Sequence, residues 1–234
     1  MKPAGRQRGI SLIESLLALA IAIVMLSALF FLLADGQTEL RAKNQAERIQ
    51  SFQRVAAQYY MGNRSNLLDA MDGDDGGEAD VYCRINVPEN GEGGQPSHDQ
   101  ARHTCTVDAS LLRAHRLLPP SFNDSTPHGE KLIAVFRRIY DEDGIATGNV
   151  DMIVLTVFAD GGQYLRNDRR HAESLSVAAH LGATGGVLPD RDRGHCKVQR
   201  SSGTYQICGN GWHLNLADFL GAEQLDAFAA LLPD

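Results

Sequence analysis

The sequence predicts an α+β protein in which one long N-terminal helix packs on a head domain built around an antiparallel β-sheet. A nearly uninterrupted apolar block at residues 10–34 is followed by residues that favour helix, and no proline occurs between Ala4 and Val87. Two later segments, residues 131–140 and 150–158, are rich in β-branched and aromatic residues and are joined by a turn-rich connection. These segments are expected to pair as antiparallel strands.

The N-terminal region begins with nine residues, MKPAGRQRG, that carry three basic side chains and no acidic one. In residues 16–34, which follow shortly afterwards, Ser27 is the only clearly polar residue. About 20 consecutive apolar residues are needed to cross a lipid bilayer, so the sequence predicts a membrane-spanning helix. Because basic flanking residues stay on the cytoplasmic side, the leader is expected to be cytoplasmic and the head to face outward.

Glu14 is an acidic residue within this apolar region, and its presence there needs an explanation. A carboxylate among apolar residues is costly unless it is paired or neutralised. Cleavage after Gly9 would place a positive α-amine on Ile10, four residues before Glu14. In a helical assembly, the Glu14 carboxylate of one subunit can neutralise the Ile10 amine of another.

This arrangement resembles a known family. Gly9, the run Ile10-Ser11-Leu12-Ile13-Glu14 and the long apolar helix resemble the class III signal of type IV prepilins. The resemblance implies cleavage by a membrane prepilin peptidase between Gly9 and Ile10, N-methylation of Ile10, and a role for Glu14 in docking into the fibre. It also implies the type IV pilin fold, an inner-membrane precursor with a periplasmic head, and assembly with other pilin subunits into an extracellular pilus.

The predicted organisation is a leader at 1–9, a membrane-spanning and polymerising half-helix at 10–34, an amphipathic half-helix at 35–62 and a head at 63–234. In the amphipathic half, apolar residues recur at mostly helical spacings, at Leu40, Ile49, Phe52, Val55, Ala56 and Tyr59. This pattern sustains no regular heptads, so it favours a helix that lies across a sheet over a free coiled coil.

The rest of the head is predicted as short elements between turns. Strands are expected at 81–87 and 104–107, a helix at 109–118 that ends at Pro119-Pro120, and a second helix at 169–181 that ends at Gly182. Residues 196–208 are expected to form a loop, and residues 225–232 suit either helix or strand.

Four cysteines, Cys83, Cys105, Cys196 and Cys208, lie beyond the apolar block. An even number of cysteines in an exported domain predicts two disulfides. Three connectivities exist, of which pairing between sequence neighbours, Cys83 with Cys105 and Cys196 with Cys208, is favoured.

Composition and motifs argue against several classes of function. The net charge is −7 and would be about −10 without the basic leader, so no nucleic-acid partner is expected. No catalytic motif is present, and Asp168, His171 and Ser174 crowd one helix, so the chain is not predicted to be an enzyme or to bind a cofactor.

Metal sites are also not predicted. Residues 72–78 do not match the ligand spacing of an EF-hand, because a start at Asp72 puts glycine at position 5. His195 and His213 are the best zinc candidates, but a disulfide is the better interpretation of the neighbouring Cys196. Trp212, the only tryptophan, is predicted to pack in the core rather than to bind a ligand.

Segments of the head resemble the constant region of shufflon-type (type IVb) minor pilins, at Thr126-Pro127-His128-Gly129, Asp160-Gly161-Gly162, residues 178–186 and Gly211-Trp212. This resemblance implies a minor pilin that acts in conjugation or adhesion. Two alternatives stay open: a pilus-tip adhesin whose 196–208 segment or C-terminal end binds a cell-surface ligand, and a type II secretion pseudopilin.

Overall fold

The computed structural model describes residues 12–73, 79–88, 91, 93–157, 168–189, 196–199, 204–221 and 225. The chain divides into two compact units, Met1–Arg41 and Ala42–Asp234. The second unit contains all three β-sheets of the described residues, and every described helix except the N-terminal part of the first lies in it.

Helix α1 spans Leu12–Gly62, close to the predicted limits. Its buried side chains begin at Ala42 and recur at helical spacings, at Ala42, Ala46, Phe52, Ala56 and Tyr59. Phe52, Ala56 and Tyr59 share a core with sheet residues, so the prediction that the helix packs on a sheet is correct for this part. Ala42 and Ala46 instead cluster with Val177, and Leu40, expected as a contact, is 61% exposed.

The predicted membrane-spanning helix, residues 10–34, requires a correction. Across the described ranges, no helix combines the length and the apolar character that a membrane crossing needs. That requirement comes from the roughly 30 Å thickness of the hydrocarbon layer, which takes about 20 consecutive, mostly apolar residues to cross.

Four shorter helices follow, α2 (Arg64–Asp72), α3 (Ala79–Tyr82), α4 (Ala109–Ala114) and α5 (Asp168–Leu181). Asp108 caps α4, since its carboxylate accepts hydrogen bonds from the backbone amides of Ser110 and Leu111. Helix α4 ends four residues before the predicted limit, because Arg116 has a positive φ of 59° that no helix accommodates. Helix α5 ends as predicted, where Gly182 adopts a φ of 69°.

The central sheet contains β3 (His98–Asp99), β4 (Thr104–Asp108), β5 (Lys131–Tyr140) and β6 (Ala146–Val157), in the order β3-β4-β5-β6. Strand β5 has the predicted limits, and its antiparallel pairing with β6 is confirmed. Strand β6 begins four residues earlier than expected, because the pairing continues past a bulge near Tyr140.

The strand predicted at residues 81–87 is largely wrong. Helix α3 occupies the start of this segment, and only β1 (Arg84–Ile85) is extended, paired with β2 (Gln95–Pro96). The backbone amides of Asn86 and Val87 instead donate to the Asp108 carboxylate and the Ser110 hydroxyl, at 2.8 and 2.6 Å. These two amides therefore donate to side chains at the start of α4, and they are not available to pair with a neighbouring strand.

The predicted loop at residues 196–208 is also corrected, because the region forms part of a second sheet. This sheet contains β7 (Gly186–Val187), β8 (Val198–Gln199), β9 (Thr204–Gly209) and β10 (His213–Asn215), with β9 paired to each of the others. Of the final segment predicted at residues 225–232, only Leu225 lies within the described residues, and it is buried.

Two apolar cores lie on opposite faces of the central sheet. Alternate residues of β5 divide between them, as the two-residue repeat of a strand requires. Ala134 and Phe136 join the core formed with α1, whereas Ile133 and Val135 join the core that contains Tyr205 and other residues of the C-terminal region. Helix α1 and the second sheet therefore cover the two faces of one sheet.

Candidate assembly surface

The predicted assembly residues lie at the start of α1. Gly9 and Ile10 are outside the described residues, whereas Glu14 is helical and lies near the N-terminal limit of the described part of α1.

The following residues of α1 expose a dense set of large apolar side chains. Eight of them are between 50 and 68% exposed: Leu16, Leu17, Leu19, Ile21, Ile23, Val24, Met25 and Leu26. At about 100° per residue, these positions surround the whole circumference of the helix. We call this set the apolar collar.

An apolar collar of this kind has no counterpart on the described part of the head. Among the other described residues, exposed large apolar side chains are widely spaced, at Leu40 and Met61 on α1 and at Val81, Ile145 and Leu175 in the head. Single exposed apolar residues are normal on protein surfaces, but a helix that is apolar on every side is usually buried. Burial of the collar would contribute on the order of 10 kcal/mol, at 1.5–3 kcal/mol per fully buried side chain.

Ser27, the polar residue at the end of the collar, needs no partner from outside the helix. Its hydroxyl donates to the carbonyl oxygen of Ile23 at 2.7 Å. A serine that bonds the preceding turn in this way can face an apolar environment at low cost. Ser27 is therefore compatible with burial of the collar.

Two arginines join the helical region to backbone carbonyls of the head. Arg48 on α1 donates to the carbonyl of Ser125, and Arg64 on α2 donates to that of Gly148, each at 2.7 Å. A charged donor makes a stronger hydrogen bond than a neutral one. These contacts reinforce the apolar packing that holds the second half of α1 on the sheet.

Both predicted disulfides are present. Cys83 pairs with Cys105 and Cys196 with Cys208, with Cα atoms 5.3 and 6.1 Å apart. Cys83 and Cys105 are fully buried in the core beside α1. The second disulfide links β9 to the segment before β8.

A polar cluster that sequence reasoning missed connects α2 with the central sheet. The Asp72 carboxylate pairs with the Arg138 guanidinium and accepts a hydrogen bond of 2.6 Å from the Tyr140 hydroxyl. His103 Nδ1 lies 3.0 Å from the same hydroxyl and 3.2 Å from the carbonyl oxygen of Met71. Because the tyrosine proton goes to Asp72, we infer that His103 Nδ1 carries a hydrogen and donates. The Asp72 carboxylate therefore has a structural role, because both of its oxygens are bound, one by Arg138 and the other by Tyr140.

We predict that Arg138→Met lowers the free energy of unfolding by about 2–3 kcal/mol, because it leaves a largely buried carboxylate without its cation. Urea unfolding followed by circular dichroism measures this loss. The neighbouring Arg137 is the control, since it pairs with the half-exposed Asp218 at 3.4 Å and Arg137→Met should cost about 1 kcal/mol or less. Equal losses of unfolding free energy in the two variants would show that the Asp72–Arg138 pair stabilises the protein no more than the exposed pair does.

In the described part of the chain, the remaining motif residues do not cluster into a catalytic or metal-binding site. No group of three or more histidine, cysteine, aspartate or glutamate residues suited to a metal is found among the described residues. His195 lies outside those residues, and His213 is exposed on β10. His128, in the Thr126-Pro127-His128-Gly129 motif, lies 2.9 Å from the carboxylate of Glu173 on α5.

Trp212 packs against glycines rather than forming an open platform. Its ring lies against Gly186 and Gly209, and its Nε1–H donates to the carbonyl oxygen of Ala183 at 2.7 Å. The half-buried indole therefore links the turn after α5 to strands β7 and β9. Its packing role agrees with the expectation, although it covers the second sheet instead of filling a core.

Comparisons with family models, with curated proteins and with solved structures give no match to this chain.

Proposed function

We propose that the chain is a minor subunit of a type IV pilus-like fibre, processed after Gly9 and assembled through the first half of α1. The apolar collar is the observation that carries this proposal. A single partner would cover only one side of the helix, whereas the exposed side chains surround it. A helical fibre packs several neighbouring helices around each one, and it therefore buries the collar on every side.

Charge pairing supports the same assembly. Burial of the collar would also remove the nearby Glu14 from water, and an unpaired buried carboxylate is strongly destabilising. Prepilin peptidase would release the Ile10 amine of each subunit, which supplies a cation for the Glu14 of a neighbour. Assembly and processing are thereby coupled, because only a cleaved chain offers this amine.

The head suits a role outside the cytoplasm. Two disulfides are typical of a domain that folds in an oxidising compartment. The head also keeps its own cores on both faces of the central sheet, so it does not depend on the collar for its folding. It can therefore be carried on the outside of a fibre.

Glu14→Ala tests the proposal in cells that assemble the fibre. We expect the mature wild-type chain to begin at a methylated Ile10 by mass spectrometry. Loss of the partner for a buried amine costs about 3–5 kcal/mol, so the variant should be incorporated into sheared fibres at least about 100-fold less.

Glu47→Ala is the matched control, because Glu47 is an exposed acid on the same helix. This variant should be incorporated like the wild type. A retained Met1, or normal incorporation of Glu14→Ala, would contradict the proposed function.

A further inference from the structure

A cleft of about 480 Å³ opens on the head where the end of α1 meets the residues that follow α4. Its walls come from the last turns of α1, from the residue that joins α1 to α2, and from the segment after α4. Small-molecule sites in proteins have volumes of about 300–1,000 Å³ and usually lie in clefts of this kind. The size of the cleft therefore suits a small ligand.

Tyr59 and His115 give the cleft a fixed aromatic wall. Tyr59 is fully buried, and its hydroxyl donates to the carbonyl oxygen of Tyr82 at 2.9 Å. The His115 ring meets the Tyr59 ring in an edge-to-face arrangement, with centroids 5.0 Å apart. Burial raises the pKa of Tyr59, and desolvation lowers the pKa of His115. Both rings are therefore uncharged at neutral pH.

Three polar groups of the cleft have no hydrogen-bond partner among the described residues. They are the side-chain amide of Gln58, the Oδ1 atom of Asn63 and the ring nitrogens of His115. Asn63 Nδ2 is occupied, since it donates to the carbonyl oxygen of Tyr59 at 3.0 Å. The cleft therefore offers a ligand both donors and acceptors that the protein itself does not use.

The other side chains of the cleft limit the charge of the ligand. Met61 and Leu117 supply an apolar part, and no charged side chain lines the cleft within the described ranges. An ion would lose water on entering without gaining an opposite charge. The ligand is therefore expected to be uncharged and to carry hydrogen-bonding groups beside a small apolar group.

We propose that this cleft binds an uncharged ligand that carries an acetamido group. The carbonyl and the N–H of a trans amide point in opposite directions, so two separate side chains are needed to bond both. Gln58 can donate to the carbonyl oxygen and Asn63 Oδ1 can accept from the N–H, while the methyl group contacts Met61. Amino sugars and acetylated peptides both carry this group. The site belongs to the head, so the proposal does not depend on fibre assembly.

Binding is measured on the purified full-length chain with isotope-labelled methionine methyl groups, in a detergent that contains no amide. N-acetylglucosamine should shift the Met61 signal with a Kd on the order of 1 mM, whereas the signal of the fully buried Met71 should stay in place. Glucose, which lacks the acetamido group, should bind at least about five-fold more weakly.

N-acetylalanine methylamide is the second probe, because it presents the acetamido group without a sugar. Binding as tight as that of N-acetylglucosamine would support the proposal and indicate a peptide source. Weaker but saturable binding would also support it and indicate a sugar source, since the hydroxyl groups then contribute.

Gln58→Ala should weaken the binding of N-acetylglucosamine about five-fold, because it removes one hydrogen bond to the ligand. Gln50→Ala is the matched control, since Gln50 is an exposed glutamine on the same helix and does not line the cleft. Its affinity should equal that of the wild type. No shift of Met61 with either acetamido probe, equal binding of glucose, or unchanged affinity in Gln58→Ala would overturn the proposal.

Discussion

Gly209→Ala is expected to destabilise the second sheet of the head by about 3 kcal/mol. A Cβ at this position would lie 2.5 Å from the carbonyl oxygen of Gly185 and closer still to the indole of Trp212. Real Cβ atoms do not approach other atoms this closely, so the indole must move. Its movement would combine the cost of overpacking with loss of the hydrogen bond to Ala183.

The measurement can use the protein's only tryptophan as the probe. Urea unfolding followed by Trp212 fluorescence should show a lower midpoint and an altered native spectrum in Gly209→Ala. Gly62→Ala, with open space around its built Cβ, should show neither change. A native spectrum and midpoint identical to wild type would show that the indole does not depend on the glycine.

Phe52→Ala is expected to lower the free energy of unfolding of the head by about 3–5 kcal/mol. Phe52 is fully buried, and its ring stacks on that of Phe122 with centroids 6.3 Å apart. It belongs to the core in which α1 meets the sheet. Truncation removes the transfer energy of the ring and leaves a cavity that a sheet and a long helix cannot easily close.

Leu40→Ala provides the comparison on the same helix, because Leu40 is 61% exposed and its truncation should change stability by about 0.5 kcal/mol or less. Thermal unfolding by circular dichroism, with the disulfides intact, measures both variants. A loss below about 1 kcal/mol for Phe52→Ala would mean that α1 contributes little to the stability of the head.

Elements with a strong local pattern were predicted well. Strand β5 has a continuous run of β-branched and aromatic residues, and the polar turn after it leads directly into β6, so neighbouring segments specify their own pairing. Helix α5 ends at Gly182, a residue suited to a positive φ. The disulfides also follow sequence proximity, since each joins the nearest available cysteines.

The wrong predictions concern segments whose partners lie far away. The backbone of residues 81–87 has enough β-branched character for a strand, but its amides are taken by Asp108 and Ser110. In the second sheet, strands of two or three residues are too short to produce an alternating pattern. The membrane span predicted at residues 10–34 is corrected by the finding that no helix in the described part of the chain is long and apolar enough to cross a membrane.

The sequence by itself determined the long helix, the β5–β6 pair, the two disulfides and the acid placed just after a predicted cleavage point, because each depends on residues that are close along the chain. Only the tertiary structure decided that apolar side chains of α1 are exposed on every side, that Trp212 lies over Gly209, and that Asp72 pairs with Arg138. Asp72 and Arg138 are 66 positions apart in the sequence. Contacts of this kind depend on which elements the fold brings together, and no local periodicity encodes that information.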